Sequence, residues 1–181
     1  EAMDLNLHAA VTDPQLSSLV LPESEASLDL AARVGGTMRS PTVDLELHGG
    51  LESNEATVPR LNLMFKGGLD GGWLDLSVPA GLSAQGTELD SLFAHLEVER
   101  DADNALAGKF ALAAWQGADR LALGGQAWGD SLGLALHRKV QLDSLVLVGR
   151  GQDVRLQQSV VLELGPGRWD IGLSPLFFVG G

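Results

Sequence analysis

The alternation of apolar and polar residues limits the fold of this chain more than any other feature of its sequence. Apolar residues stand at every second position from Ala26 to Val34 and again from Val43 to Leu47, and most residues between them are polar or charged. This period of two is typical of a β-strand with one solvated face. Gly35-Gly36 and Ser40-Pro41 supply the residues that end one strand and begin the next. The stretch therefore predicts two amphipathic strands joined by a short connection.

The same alternation continues along the chain and predicts roughly twelve to fourteen strands of ordinary length. The other apolar segments are Met3 to Ala9, Leu61 to Phe65, Leu74 to Val78, Ala94 to Val98, Leu106 to Leu112, Leu121 to Ala127, Leu132 to Leu136, Val140 to Leu142, Val154 to Leu164 and Trp169 to Leu173. Glycine pairs predict turns at Gly49-Gly50, within Lys66 to Gly72 and at Gly165 to Gly167, and Gly81 to Gly86 predicts a connection. Gln15 to Leu21 suits one or two helical turns. Leu89 to Leu92 suits either a helical turn or the lead into a strand.

Strands with one apolar face must cover that face with a second sheet, with the sheet itself or with a ligand. We therefore expect an all-β fold, a long, curled, mostly antiparallel sheet whose concave apolar face forms an open, β-taco-like groove. A closed β-sandwich is the alternative. We expect one domain over residues 1–181. The alternation at Met3 and the apolar run at Leu176 to Val179 predict a fragment of a longer chain.

Leucine is the dominant apolar residue of these strands, while isoleucine occurs once and tyrosine is absent. Most sheets prefer β-branched and aromatic residues, which suit a packed pleat. A leucine face suits either a packed core or a cover of fluid acyl chains. The candidate groove residues share one parity in their strands. They are Leu28, Leu30, Leu45, Leu47, Leu61, Leu63, Leu74, Leu76, Leu134, Leu136, Leu162 and Leu164.

The charge balance restricts the partners of this protein. Its formal net charge is −12, from 24 acidic and 12 basic residues. Binding to nucleic acid requires clustered Lys and Arg, and an acidic charge balance does not favour docking on an anionic membrane surface either. We therefore expect no nucleic-acid partner. The chain has no cysteine and thus no disulfide or thiol chemistry, and no apolar run approaches the roughly 20 residues of a membrane-spanning helix.

No group of residues indicates catalysis. The histidines, His8, His48, His95 and His137, fall in different strands without the closely spaced ligand pairs of metal sites. Asp101 to Asn104 begins like a calcium loop but lacks its remaining ligands. A Gly-x-Ser-x-Gly nucleophile motif is absent. We expect no enzyme activity, metal or cofactor. Trp73, Trp115, Trp128 and Trp169 lie near strand ends, where they either cap the sheet or offer a platform for sugars.

The stretch from Leu28 to Leu47 resembles the TamB family, the inner-membrane-anchored subunit of the translocation and assembly module and a relative of AsmA-like envelope proteins. This family often has a strand, Gly-Thr-Leu, a polar spacer, a proline and another strand, and here Met38 takes the place of the leucine. Gly165 to Leu173 has a similar texture. The resemblance implies a periplasmic sheet that takes part in phospholipid transfer and outer-membrane protein assembly. The implied partner is an outer-membrane barrel protein of the TamA type, and the implied full-length chain is anchored in the inner membrane.

These observations predict a non-enzymatic hydrophobic conduit or scaffold for outer-membrane biogenesis in the periplasm. Its cargo is phospholipid acyl chains or a nascent outer-membrane protein. The main alternative is a β-sandwich module of a secreted protein that binds carbohydrate or protein. A β-solenoid would show a repeat of fixed length, and the sequence has none.

Overall fold

The computed structural model describes residues 2–11, 24–100, 105–129, 138–165 and 168–172. These residues form fourteen strands and include no helix, so none is long and apolar enough to cross a membrane. The all-β prediction is confirmed. The strands are β1 (Leu5–Val11), β2 (Ser24–Thr37), β3 (Ser40–Ser53), β4 (Ala56–Gly68), β5 (Gly71–Val78), β6 (Leu82–Ala84), β7 (Thr87–Leu89), β8 (Ser91–Arg100), β9 (Leu106–Gln116), β10 (Asp119–Gly129), β11 (Arg138–Gly149), β12 (Gln152–Arg155), β13 (Val160–Gly165) and β14 (Arg168–Gly172).

The strands fall into two compact units, Glu1–Phe93 and Ala94–Gly181. In unit 1 the strand order is β1-β2-β3-β4-β5, and the short strand β6 pairs with β4 and β7. In unit 2 the order is β9-β10-β11-β13-β14, and β12 pairs with β11. The pairings within each unit are antiparallel, and each unit is an open sheet. The prediction of a mostly antiparallel sheet is thus confirmed. The single domain and the curvature stay predictions.

The two predicted strands between Ala26 and Leu47 form the hairpin of β2 and β3. Gly35 and Gly36 belong to the end of β2, and the chain reverses at Met38 and Arg39. Gly36 has φ of +87°, which favours glycine because it has no Cβ. The predicted hairpin in Lys66 to Gly72 is also present, with its turn at Leu69 and Asp70.

The predicted turn at Gly49-Gly50 is wrong, because both glycines lie inside β3 and the chain reverses later, at Asn54 and Glu55. Opposite Gly50, β4 contains a bulge in which Pro59 and Arg60 occupy the space of one residue. A Cβ on Gly50 would lie 2.8 Å from the Pro59 carbonyl oxygen. Glycine therefore permits the close approach, and the bulge accommodates a proline that an unbroken ladder would exclude.

Two other local predictions are revised. The connection predicted from Gly81 to Gly86 contains strand β6. Leu89 ends β7 and Leu92 belongs to β8, so Leu89 to Leu92 forms no helical turn and leads into a strand. The helical turns expected from Gln15 to Leu21 lie outside the described residues.

A second bulge lies in unit 2, where Gly124 and Gly125 of β10 pair with Ser144 and Leu142 of β11 and leave Asp143 as the extra residue. The bulge changes the parity of β11. Val140 and Leu142 on one side of it therefore share a face with Leu145 and Leu147 on the other. This keeps the leucines of β11 on the face that β10 and β9 also make apolar.

The described residues form very little closed core. Their buried apolar side chains are those of Ala26, Val78, Ala114 and Val160, and no large side chain among them is fully buried. A β-sandwich packs two sheets around interdigitated, buried side chains. The open sheets lack such a core within the described residues, so the sandwich alternative is not supported.

The bulge in β11 predicts different effects for substitution of two adjacent glycines. A Cβ on Gly125 would collide with the Gln141 carbonyl oxygen and with the Phe110 ring, whereas a Cβ on Gly124 would meet the Ser144 hydroxyl at 3.1 Å. Gly125→Ala should therefore lower the free energy of unfolding by about 1–3 kcal/mol, as overpacking does. Gly124→Ala, as the matched control, should lower it less. Denaturant unfolding measures both, and equal effects would contradict the bulge geometry.

Candidate functional site

The strand register brings the predicted groove residues of unit 1 onto one face of the sheet. Residues that pair directly across antiparallel strands point to the same side. One row across four strands consists of Leu30, Leu47, Leu63 and Leu76. The next row consists of Ala32, Leu45, Phe65 and Leu74. A third contains Leu28, Gly49 and Leu61. We call this surface the leucine face of unit 1.

The leucine face of unit 1 is shielded only in part. All eight of its predicted groove residues are partly exposed. Side chains of neighbouring strands cover their flanks, and the described residues do not bury them as a second layer would. With a spacing of about 4.8 Å between strands, a four-strand row is about 14 Å wide. Apolar surface of this extent is unusual on a protein that has no partner for it.

Unit 2 has a corresponding face, but sequence analysis identified little of it. Leu162 pairs with Val140, which pairs with Ala127, and all three side chains are partly exposed. Leu164 takes the register position opposite Arg138 and Trp169. Leu134 and Leu136 lie outside the described residues. We call the surface that carries Leu162 the leucine face of unit 2.

Sequence analysis missed the central row of that face. Leu112, Leu123 and Leu145 pair in sequence across β9, β10 and β11, and the next row contains Ala114, Leu121 and Leu147. Leu147 is 41% exposed. The available signal was parity, because the leucines of β11 change from an even number to odd numbers between Leu142 and Leu145. Such a change is the sequence trace of a bulge.

Two phenylalanine rings lie against glycines on these faces. The Phe65 Cζ atom is 2.8 Å from the place where a Cβ of Gly67 would be, and the Phe110 Cζ atom is 2.9 Å from that of Gly125. Each ring therefore extends along its sheet and covers backbone that has no side chain. Because the two rings lie along their sheets, they project less from the leucine faces than upright aromatic side chains would.

The opposite face of unit 1 is polar and carries cross-strand ion pairs. Lys66 Nζ lies 3.5 Å from Asp44 Oδ1, and Arg33 Nε lies 3.3 Å from Asp4 Oδ1. His8 Nε2 lies 3.1 Å from Asp29 Oδ1. The side chains of these pairs are between 43% and 67% exposed, so each pair contributes about 0–1 kcal/mol. They mark the solvated side of the sheet.

The polar face of unit 2 contains a hydrogen-bond network around the bulge residue Asp143. Gln141 Nε2 donates to its carboxylate at 2.6 Å, the Ser159 hydroxyl donates at 2.9 Å and Gln126 Nε2 donates at 3.3 Å. The hydrogen bonds from Gln141 and Ser159, with a smaller one from Gln126, lower the pKa of Asp143 below its ordinary value. The network joins β10 and β11 to the segment before β13.

The described histidines do not gather at one site. His8 contacts Asp29, and His48 Nδ1 lies 3.0 Å from Asn62 Oδ1. His95 is partly exposed in β8, and His137 lies outside the described residues. The described part of the chain contains no group of three or more His, Cys, Asp or Glu residues arranged for a metal ion.

The depression beside Trp128 offers little room for a sugar. Trp128 lines a depression of about 50 Å³ together with Gln126 and Lys109, far below the roughly 300–1,000 Å³ of ligand pockets. The Arg120 guanidinium lies 5.6 Å from the centre of the Trp115 ring. Trp73 is partly exposed next to the turn between β4 and β5, and Trp169 lies in β14.

A wider depression of about 390 Å³ lies at the bulge of unit 1, where the register between β3 and β4 shifts. Its lining includes Ala26, Leu51 and Val58 from the leucine-face parity, and Glu25 and Glu52 from the opposite parity. Its volume falls within the range of ligand pockets. The depression therefore follows the bulge and is not part of the leucine face alone.

Comparison with protein-family models, with curated proteins and with solved structures finds no match for this chain. The leucine faces, the bulges beside them and the polar faces behind them are the features of this chain that bear on its function.

The Asp143 network predicts a pH dependence of stability. Because the folded state lowers the pKa of this carboxyl, the stabilisation is present above its unfolded-state pKa and is lost as the pH falls through the lowered, folded-state value. Asp143→Asn should therefore make the free energy of unfolding less dependent on pH in the acid range. Denaturant unfolding at a series of acid pH values checks this, with Asp70→Asn in an exposed turn as control. An unchanged dependence in the Asp143 variant would contradict the prediction.

Proposed function

We propose that this protein is a non-enzymatic hydrophobic conduit or scaffold for outer-membrane biogenesis in the periplasm, similar in role to the TamB family. The observation that carries the proposal is the leucine face of unit 1, whose leucines share one side of an open sheet and remain partly exposed. An apolar face of this kind must be buried against another layer of the protein or against a ligand. The cargo that we propose as the cover is the acyl chains of phospholipids.

The chemistry of the face favours acyl chains over an extended polypeptide. The rows around Leu45, Leu47 and Leu63 present apolar side chains without hydrogen-bonding groups. A polypeptide laid across them would leave buried N–H and C=O groups unpaired, which is costly. An acyl chain has no such groups. The other predicted cargo is a nascent outer-membrane protein. Its backbone N–H and C=O groups would need to pair with a strand edge, which this face does not offer.

The energetics of such a face suit movement along it. Each CH₂ group removed from water contributes about 0.8 kcal/mol, and this interaction has no direction. Similar leucine rows follow one another along β3 and β4, so a chain loses little contact when it moves by one row. Leucine side chains adapt to a fluid ligand, and the flat Phe65 ring leaves the face without an upright obstacle. The polar face, with its ion pairs, stays in water.

The proposed partners follow from the resemblance described above. They are a phospholipid as cargo and an outer-membrane barrel protein of the TamA type, with the full-length chain anchored in the inner membrane. The net charge of −12 supports a protein that stays in solution between two membranes and does not adhere along its length to anionic lipid.

A pair of substitutions on β3 tests the proposal. Leu45→Asp places a charge on the leucine face, and Glu46→Gln changes the exposed, opposite face of the same strand. We expect the protein purified from a Gram-negative periplasm to carry phospholipid, detected by mass spectrometry. The Leu45 variant should lose most of it, because an acyl chain would have to desolvate the new carboxylate. The Glu46 variant should keep it.

Circular dichroism of the same preparations separates a groove from a core. If Leu45→Asp unfolds the protein while the wild type carries no lipid, Leu45 belongs to a closed core and the proposal is wrong. If the variant stays folded and both proteins carry equal amounts of phospholipid, the lipid does not lie on the leucine face.

A further inference from the structure

One end of unit 1 exposes large apolar side chains on its turns. Met38, in the turn between β2 and β3, is 77% exposed, and Leu69, in the turn between β4 and β5, is 58% exposed. Leu5, the first residue of β1, is 65% exposed. Turn positions are usually taken by Gly, Pro, Asn, Asp and Ser. Met38 and Leu69 therefore have no role that the turns themselves explain.

The strand register places all three residues at the same end of the sheet. Thr37 pairs with Ser40 around Met38, and Thr42 pairs with Gly68 beside Leu69. Leu5 pairs with Val34, three residues before the end of β2. The two turns are two strand spacings apart, or about 10 Å. We call this part of unit 1, with Met38, Leu69 and Leu5, the apolar end.

The opposite end of unit 1 has a different chemistry. Its turn between β3 and β4 consists of Asn54 and Glu55, and the Ser53 hydroxyl accepts hydrogen bonds from the backbone N–H groups of Glu55 and Ala56. Glu25 and Glu52 pair beside this turn. The residues of this turn are polar, as is usual for turns, and acidic residues lie beside it. Among the described turns of unit 1, the exposed apolar tips thus occur at one end.

The described charged side chains of the apolar end nearly cancel one another, although the chain as a whole has a net charge of −12. Asp4 pairs with Arg33, and Asp44 pairs with Lys66. Each of the two turns adds one charge, positive at Arg39 and negative at Asp70. An acidic protein meets least repulsion from an anionic lipid surface at a neutral site. The low local charge and the exposed apolar side chains thus both favour contact with lipid at this end.

We propose that the apolar end of unit 1 contacts a phospholipid bilayer, with Met38 and Leu69 inserted into its interfacial region. Separate apolar side chains on protruding turns suit a fluid, non-directional partner, because their insertion into lipid needs no complementary surface. Apolar surface buried in the bilayer drives the contact. The inference goes beyond the proposed function, since it does not depend on what covers the leucine face.

The absence of cysteine from the chain permits a direct test. Met38→Cys, Leu69→Cys and, as a control at the opposite end, Asn54→Cys each receive one environment-sensitive fluorophore on the full chain. Vesicles of phosphatidylcholine with phosphatidylglycerol are then added. We expect a blue shift with increased emission at positions 38 and 69 and no change at position 54. Vesicle flotation of an unlabelled Met38→Asn, Leu69→Asn double variant should show partitioning reduced about tenfold or more, because two apolar side chains are lost.

Three results would overturn the proposal. The first is unchanged emission at positions 38 and 69 when vesicles are added. The second is an equal change at position 54, which means adsorption without a preferred end. The third is the same blue shift without vesicles as the protein concentration rises, which means that a second copy covers the tips. Circular dichroism checks that the double variant is folded. Loss of bound lipid in the Leu45 variant leaves this test unaffected, so each proposal fails separately.

Discussion

Each unit of this protein depends on one constraint, the partial exposure of a leucine face on an open sheet. The hydrophobic effect normally stabilises a sheet by removing one face from water. Here the cross-strand neighbours in the rows around Leu47 and Leu123 provide lateral contacts, and the described residues bury few side chains completely. Stability therefore comes mainly from the antiparallel ladders and from contacts within the rows. A ligand on the leucine faces would add to it by mass action.

The two bulges preserve the leucine faces. Val58 and Leu61 are three residues apart, as are Leu142 and Leu145, so in regular strands the members of each pair would point to opposite sides, and the bulges bring them to the same side. Gly50 and Gly125 permit the close backbone approach at these points. In unit 2 the extra residue also serves the polar face, where its carboxylate accepts three hydrogen bonds. The bulge in unit 2 thus keeps the leucines of β11 on one face and, on the other face, joins neighbouring segments through hydrogen bonds.

The two proposals assign different parts of unit 1 to lipid. The leucine face suits acyl chains that have already left a bilayer, and the apolar end suits contact with the bilayer itself. The row of Val34 and Val43 lies next to the turn at Met38, so the leucine face extends to the apolar end. A protein that moves lipid needs both kinds of surface. The ion pairs at Asp4 and Asp44 explain how an acidic chain provides the second.

The sequence by itself determined the described strands, their one-sided character and the turns at Met38 and Asp70, because alternation and turn residues are local properties. It correctly predicted the hairpins around Met38 and Asp70 and the shared parity of Leu45, Leu47, Leu63 and Leu76. Only the tertiary structure decided that Gly49-Gly50 lies in a strand, that Asp143 is a bulge and that Leu112, Leu123 and Leu145 form one row. Pairing between strands fixes these features, and a single strand read alone contains no information about its neighbour's register. The gathering of Met38, Leu69 and Leu5 at one end has the same cause, since they meet only when β1 to β5 align.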